Sequence, residues 1–243
     1  CQDRRKTEHL GRYARNVVCF DDDVQIRAEG LLALVADGMG GLARKINAKG
    51  LQFGLWFEPE SVNVDSDLYR AHPDWAIHIP GREPVQQRQQ LTLDLSREDV
   101  QDYVYECVAS HLREDGIDYV KWDSNRALTE NYSLGLDADC QQEFHTRWTL
   151  GLYDIFERII NSHPDIFFEG CSSGGARFDA GMLYYFPQIW TSDDTDAIER
   201  LEIQYGTSMC YPTSTMGAHV SASRRVGFTC RLNMNCHTVF HTN

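Results

Sequence analysis

The sequence has no CxxC pair, and neither of the glycine-rich nucleotide loops GxGxxG and GxxxxGK[ST] occurs in it. No apolar run reaches the roughly 18 residues that a membrane-spanning helix needs. EF-hand spacing is also missing; "GCSSGG" at 170–175 has the G-x-S-x-G spacing of a serine-nucleophile turn on Ser172, but no Ser-His partner order accompanies it. Positive charge is in short supply: 23 Lys+Arg against 36 Asp+Glu gives a net charge of −13, which argues against a nucleic-acid partner. The opening tract "CQDRRKTEHLGRYARN" carries no apolar signal core, and its first residue is not Met, so the natural start is expected upstream. Eight cysteines, at 1, 19, 107, 140, 171, 210, 230 and 236, form neither a zinc knuckle nor a dense disulfide framework. They read as reduced thiols of a cytoplasmic protein with no membrane partner.

What is present is an ordinary globular balance over 243 residues, 42% hydrophobic and 24% charged, enough for one α/β domain or two small ones. From about Gly40 helical and strand patterns alternate. "GLARKINAKG" predicts a helix ending at Gly50, and "LQFGLWFEPE" a strand closed by Pro59. "DSDLYRAHPDW" predicts a short helix, "LTLDLS" a strand, and Ser96 the N-cap of a helix over Arg97–Glu114. "GIDYVKWD" is a strand, and "CQQEFHTRWTLGLYDIFERIINSH" a long helix with Phe144, Trp148, Leu152, Ile155 and Ile159 on or near one face. "DIFFEGCSSGG" and "PQIWTSD" are further strands, and "DTDAIERLEIQYGTS" a helix. This alternation predicts a parallel α/β fold. Four of the strands end in polar or aromatic clusters: Trp56-Phe57-Glu58, Lys121-Trp122-Asp123, Cys171-Ser172-Ser173 and Ser192-Asp193-Asp194. A β/α barrel gathers such ends at one mouth, so a TIM-type (β/α)8 barrel leads over an open doubly wound sheet. Residues 1–36 and the tract after Ala222 have no clean period and read as foreign or truncated ends.

The strand-end carboxylates are the chemical candidates. Asp123, flanked by Lys121 and Arg126, has local cations that favour its ionised form, as a nucleophile or a stabiliser of positive charge requires; a structural ion pair is the alternative. Asp193, Asp194 and Asp196 crowd one strand end, which suits a general acid, although helix-start decoration accounts for at least one of them. Trp56, Trp122 and Trp190 lie near strand ends and could cover the flat apolar face of a sugar, whereas Trp75 and Trp148 read as packing. The glycines around Cys171 allow a ligand close to the backbone. His219 has no partner order and reads as structural.

The stretches "GLWFEPE", "HPDW", "YVKWDSNR", "CSSGGARFDAGMLYYFPQIWTSDDTDAIERLEIQYGTS" and "YPTSTMGAHVS" closely resemble the α-galactosidases (melibiases) of glycoside hydrolase family 36, over about residues 38–222. The resemblance implies a (β/α)8 catalytic barrel, a retaining double displacement on terminal α-galactosides such as melibiose and raffinose-type sugars, and no metal or organic cofactor. It implies Asp123 as nucleophile and Asp193, 70 residues on, as acid/base, with Asp194 the runner-up. Trp56, Arg88, Lys121, Asn125, Cys171 and Gly174 match positions that contact the sugar, and Asp194 is counted with them. Full-length relatives are expected to form homo-oligomers. The family's N-terminal β-sandwich and C-terminal β-domain are missing. Its aspartate pair after the first barrel strand is followed by Gly-Trp; Asp21 and Asp22 occupy a comparable place but lack that dipeptide. The expected organisation is therefore an unmatched tract at 1–37, a barrel core at 38–222 supplying about six of eight β/α units, and an unmatched tract at 223–243. Two alternatives stay open. One is an inactive or merely sugar-binding fragment, poorly folded in isolation. The other is a related α-N-acetylgalactosaminidase or transgalactosylase.

Overall fold

The computed structural model describes residues 17–21, 38–113 and 116–218, the first of these by backbone only. Asp22, Glu114, His219 and the tract after Ala222 lie outside the described residues, as does most of 1–37. In chain order the elements are β1 (Val17–Asp21), α1 (Gly38–Asn47), β2 (Gln52–Phe57), β3 (Ser61–Asn63), α2 (Asp67–Ala71) and β4 (Gln90–Thr92). There follow α3 (Glu98–Leu112), β5 (Ile117–Trp122), α4 (Phe144–Ser162), β6 (Phe167–Gly170), α5 (Ala180–Tyr185), β7 (Gln188–Trp190), α6 (Glu199–Ser208) and β8 (Met216–Gly217). They fall into two compact units. One comprises the described residues of Cys1–Phe57, Glu114–Asp123 and Asp165–Asn243; the other is Glu58–Arg113 with Ser124–Pro164.

The first unit is an α/β structure built on a six-stranded sheet in the order β1-β2-β5-β6-β7-β8, with every described pairing parallel. Spatial order follows chain order without the reversal that marks a doubly wound sheet. All six C-terminal ends therefore lie along one edge of the sheet. Its central strands are covered on both faces, as strands of a parallel sheet commonly are: β6 and β7 are buried at every position, Glu169 and Gln188 included. The tract around β1 lacks alternation in the sequence, yet its backbone pairs Val17–Asp21 with Gln52–Trp56. Between β2 and β5 the register slips at Asp118, which falls between partners Phe53↔Ile117 and Gly54↔Tyr119. The Asp118 carboxylate accepts the Phe53 N–H at 3.2 Å, filling the hydrogen bond that the bulge disrupts. Among the cysteines of this unit, Cys171 and Cys210 are free thiols.

The second unit pairs α3 with α4 and carries the antiparallel β3–β4 hairpin. On α4 the predicted face is buried as expected, with Phe144, Trp148, Leu152, Ile155 and Ile159 all inside. Such side chains contribute about 1.5–3 kcal/mol each. Gly151 shares that face because a Cβ there would stand 1.8 Å from the Leu95 carbonyl oxygen. Two local expectations change here. "LTLDLS" supplies only the short β4, antiparallel to β3 and outside the parallel sheet. Ser96 does not cap α3: its hydroxyl donates to Asp94 Oδ1 at 2.5 Å, and Arg97 is the residue before the helix, with no side-chain cap. The buried Asp94 carboxylate also accepts from the Ser133 hydroxyl, and this competing acceptor is what takes Ser96 away from the helix end.

Candidate active site

Seven of the nine residues singled out from the sequence belong to the first unit. Trp56 is on β2, Lys121 on β5, and Asp123 directly follows β5. Cys171 and Gly174 follow β6, and Asp193 and Asp194 follow β7. β6 lies between β5 and β7, so Asp123 and Asp193 follow strands two apart on one edge.

Asp123 is 6% exposed. Its backbone N–H donates to Phe57 O at 2.8 Å, continuing the sheet one residue past the strand, and its Oδ2 accepts the Trp56 indole N–H at 3.2 Å. Cys171 N–H makes the matching bond to Trp122 O at 2.7 Å. Burial pushes the Cys171 thiol up to about 12, with the Lys121 cation working against that shift and the Asp123 carboxylate adding to it. The thiol is therefore neutral at physiological pH and lies within electrostatic reach of both groups.

Lys121 points along a different line. Its Nζ stands 3.7 Å from Oε1 of Glu169, its register partner on β6, and 4.9 Å from the Trp190 ring centroid. Glu169 is fully buried. A buried carboxylate needs a cation or donors to stay charged, and Lys121 supplies the charge. The Arg200 guanidinium also lies over Trp190, at 4.5 Å, while donating to Ser192 O and Gly217 O. Trp190 in turn donates its indole N–H to Asp193 Oδ1 at 3.0 Å. Each candidate carboxylate thus accepts a tryptophan N–H from a neighbouring strand end or from its own.

The three crowded aspartates divide their work. Asp196 Oδ1 accepts the N–H groups of Ile198 and Glu199 at the start of α6, the helix-start role expected of one of them. Asp194 Oδ1 accepts the Asp196 N–H in a local turn. Asp193 is directed by an indole instead. Gly174, with φ +84°, packs against this turn: a Cβ there would lie 2.9 Å from Ser192 Cα and 3.0 Å from the Asp193 nitrogen. Close backbone contact between the β6 and β7 loops already requires a glycine at that position.

Arg88 and Asn125 belong to the second unit. Asn125 N–H donates to Glu58 Oε1 at 2.8 Å, and Glu58 also accepts from the Gln90 side chain at 3.3 Å. Arg88 is exposed at a turn. The expected aromatic coverage is also revised. Trp122 is fully buried and Trp190 is 4% exposed, so both are core residues, the second acting through its N–H; Trp56 stays half-buried. Trp148 packs as expected, donating to Leu93 O at 2.9 Å, and Trp75 stacks on His72. Glu169 escaped sequence reasoning, although a lone acid in the apolar strand "FFEG" was a legible signal.

An α/β protein with a parallel sheet, carrying two indole-held carboxylates along the C-terminal edge, is the class that fold and site define. The melibiase family profile matches residues 30–241, and the chain belongs to that family. It is 52% identical over 209 residues to the α-galactosidase AgaA of Geobacillus stearothermophilus, covering 85% of this chain and 29% of that protein. It is 55% identical over 181 residues to the bifunctional α-galactosidase/sucrose kinase AgaSK of Mediterraneibacter gnavus, covering 74% and 18%. The crystal structure of AgaA superposes with a TM-score of 0.81 at 47% identity, covering 89% of this chain and 33% of AgaA, and an AgaA variant has been crystallised with raffinose. The chain thus spans about a third or less of the length of the relatives it matches.

Proposed function

We propose that this chain carries the catalytic core of a retaining α-galactosidase that releases terminal α-linked galactose from melibiose- and raffinose-type sugars. The observation that carries this reading is the pair of carboxylates, Asp123 after β5 and Asp193 after β7, on one edge of a parallel sheet, each accepting an indole N–H. Family membership and the named activity of the relatives support it. The strand order without reversal supports a (β/α)8 barrel as the complete architecture.

In the proposed mechanism Asp193 protonates the glycosidic oxygen while Asp123 attacks the anomeric carbon, giving a β-galactosyl ester and the free leaving alcohol. Asp193, now a carboxylate, takes a proton from water, and the hydroxide attacks the same carbon. α-Galactose leaves and Asp123 is regenerated as a carboxylate. The Trp56 N–H aims Asp123. Lys121, the neutral Cys171 thiol, Gly174 and Asp194 contact galactose in this reading. The free thiols at Cys107, Cys140, Cys171 and Cys210 fit a reducing compartment such as the cytoplasm.

The test is Asp123→Asn. It removes the covalent route, so kcat for a nitrophenyl α-galactoside is expected to fall by several orders of magnitude with the melting transition retained. An Asp123→Asn protein with undiminished kcat refutes the assignment.

A further inference from the structure

Helix α6 turns its polar side toward the ends of β7 and β8. Its half-buried stripe includes Arg200, Ile203, Gln204 and Thr207, spaced i, i+3, i+4, i+7, and no residue of the helix is buried. Ile198, Leu201, Tyr205 and Met209 run along the other side, each at least 64% exposed. A helix held by apolar packing alone would be turned the other way round. Arg200 and Gln204 show what the inward side does instead. They, their partners and both candidate carboxylates all belong to the first unit.

One Nη of Arg200 donates to Ser192 O and the other to Gly217 O, each at 2.9 Å, so the fork ties the residue before Asp193 to the last residue of β8. The Thr191 hydroxyl donates to Gln204 Oε1 at 2.8 Å. The loop after β6 closes on the same segment, where a Cβ on Gly175 would stand 2.6 Å from Thr191 O. The Arg200 guanidinium also lies 4.5 Å from the Trp190 centroid, and Trp190 donates to Asp193 Oδ1 at 3.0 Å. Burial lowers the affinity of Arg200 for its proton, and the carboxylates of Asp194 and Glu169 oppose that. Ser192 C=O and Asp193 N–H share one planar peptide unit. Fixing that carbonyl fixes the plane from which the Asp193 side chain springs, and Asp193 is itself exposed, with little packing to hold it.

We propose that Arg200 is a positioning residue for the proton donor: from the inward side of α6 it ties the Ser192–Asp193 peptide to the end of β8 and lies over Trp190, so that the indole N–H and the Asp193 carboxylate meet in one geometry. The clamp stands on these distances; its effect on turnover rests on the reading of Asp193 as acid/base given above. A planar fork reaches two carbonyls and an aromatic face at once, which a lysine ammonium in the same place does not.

The experiment compares the parent protein with Arg200→Lys, Asp193→Ala and the double variant. The readouts are kcat and KM for raffinose and for p-nitrophenyl α-galactoside, and hydrogen exchange across residues 191–194 followed by mass spectrometry. Arg200→Lys is expected to lower kcat for raffinose about tenfold, with KM and the nitrophenyl kcat each within about threefold, because a misplaced acid matters most when the leaving group is basic. Exchange across 191–194 rises on the order of tenfold while β5 and β6 are unchanged. In the Asp193→Ala background Arg200→Lys costs nothing further on either substrate, because Arg200 acts through Asp193. If Arg200→Lys does not fold, Gln204→Leu carries the comparison: it removes the acceptor of the Thr191 hydroxyl, keeps the guanidinium, and is expected to lower the raffinose-to-nitrophenyl ratio by about twofold to threefold. Equal losses on both substrates, additive losses in the double variant, or unchanged exchange across 191–194 overturn the proposal. A parent without α-galactoside turnover overturns the functional reading and with it the catalytic half of this one, while the exchange arm still decides the clamp.

Discussion

Trp190→Phe isolates one hydrogen bond in the proposed mechanism. The substitution keeps an aromatic ring under Lys121 and Arg200, now 4.9 and 4.5 Å from the indole centroid, and deletes the N–H that reaches Asp193 Oδ1 at 3.0 Å. A hydrogen bond contributes about 0.5–1.5 kcal/mol between neutral groups and about 1.5–3 kcal/mol to a charged one, and Asp193 gains its charge in the transition state as it gives up the proton. Asp193 is exposed, so water competes for the same oxygen and the lower end of that range applies. About 1.5 kcal/mol corresponds to roughly a tenfold rate loss if it is spent on aiming the proton donor. That loss should appear where protonation of the leaving group matters. The assay is kcat/KM for raffinose, whose leaving alcohol is basic, against a nitrophenyl α-galactoside, whose leaving group departs with little help. The raffinose value is expected to fall about tenfold and the nitrophenyl value by less than about threefold. A fall of equal size on both substrates, or on neither, refutes the argument that Trp190 aims Asp193. Loss of the second indole ring from a core position will also lower Tm, which is why the ratio of the two substrates is the diagnostic quantity.

Asp193→Ala should spare activated aryl substrates relative to raffinose, and added azide should give β-galactosyl azide; if Asp194→Ala behaves so instead, the two roles must be exchanged. Gly151→Ala pits helix propensity, which favours Ala by about 1 kcal/mol, against a Cβ forced to 1.8 Å from Leu95 O; the contact wins, and Tm is expected to fall by at least about 4 °C by differential scanning calorimetry. Cys171, with its thiol pushed up to about 12, should resist iodoacetamide at pH 8 while the exposed Cys210 reacts, as peptide mapping would report. Because its folded value is raised above the ordinary 9.0, its contribution to stability is complete below about pH 9 and is lost as pH rises from there toward about 12, so denaturation midpoints should fall in that window and Cys171→Ser should flatten the fall.

Local pattern in the chain accounts for much of this protein. Apolar spacing set the buried face of α4, with Phe144, Trp148, Leu152, Ile155 and Ile159 where the helical period put them, because that face is a local consequence of 3.6 residues per turn. Alternation of strands and helices set a parallel α/β sheet, and long matching stretches set the family. Whatever depended on a partner far along the chain was settled by long-range contacts. Ser96 looked like a cap until Asp94, held by Ser133, offered a stronger acceptor. Trp122 stood at a strand end like a sugar platform, but both faces of a parallel strand are covered, and it is core. The crowded aspartates could not be told apart in one dimension. Asp194 and Asp196 turned to backbone N–H groups, and Asp193 alone met the Trp190 indole. The pairing of Glu169 with Lys121 exists because β5 and β6 lie in one register, and register is a property of the assembled sheet that neither strand carries alone.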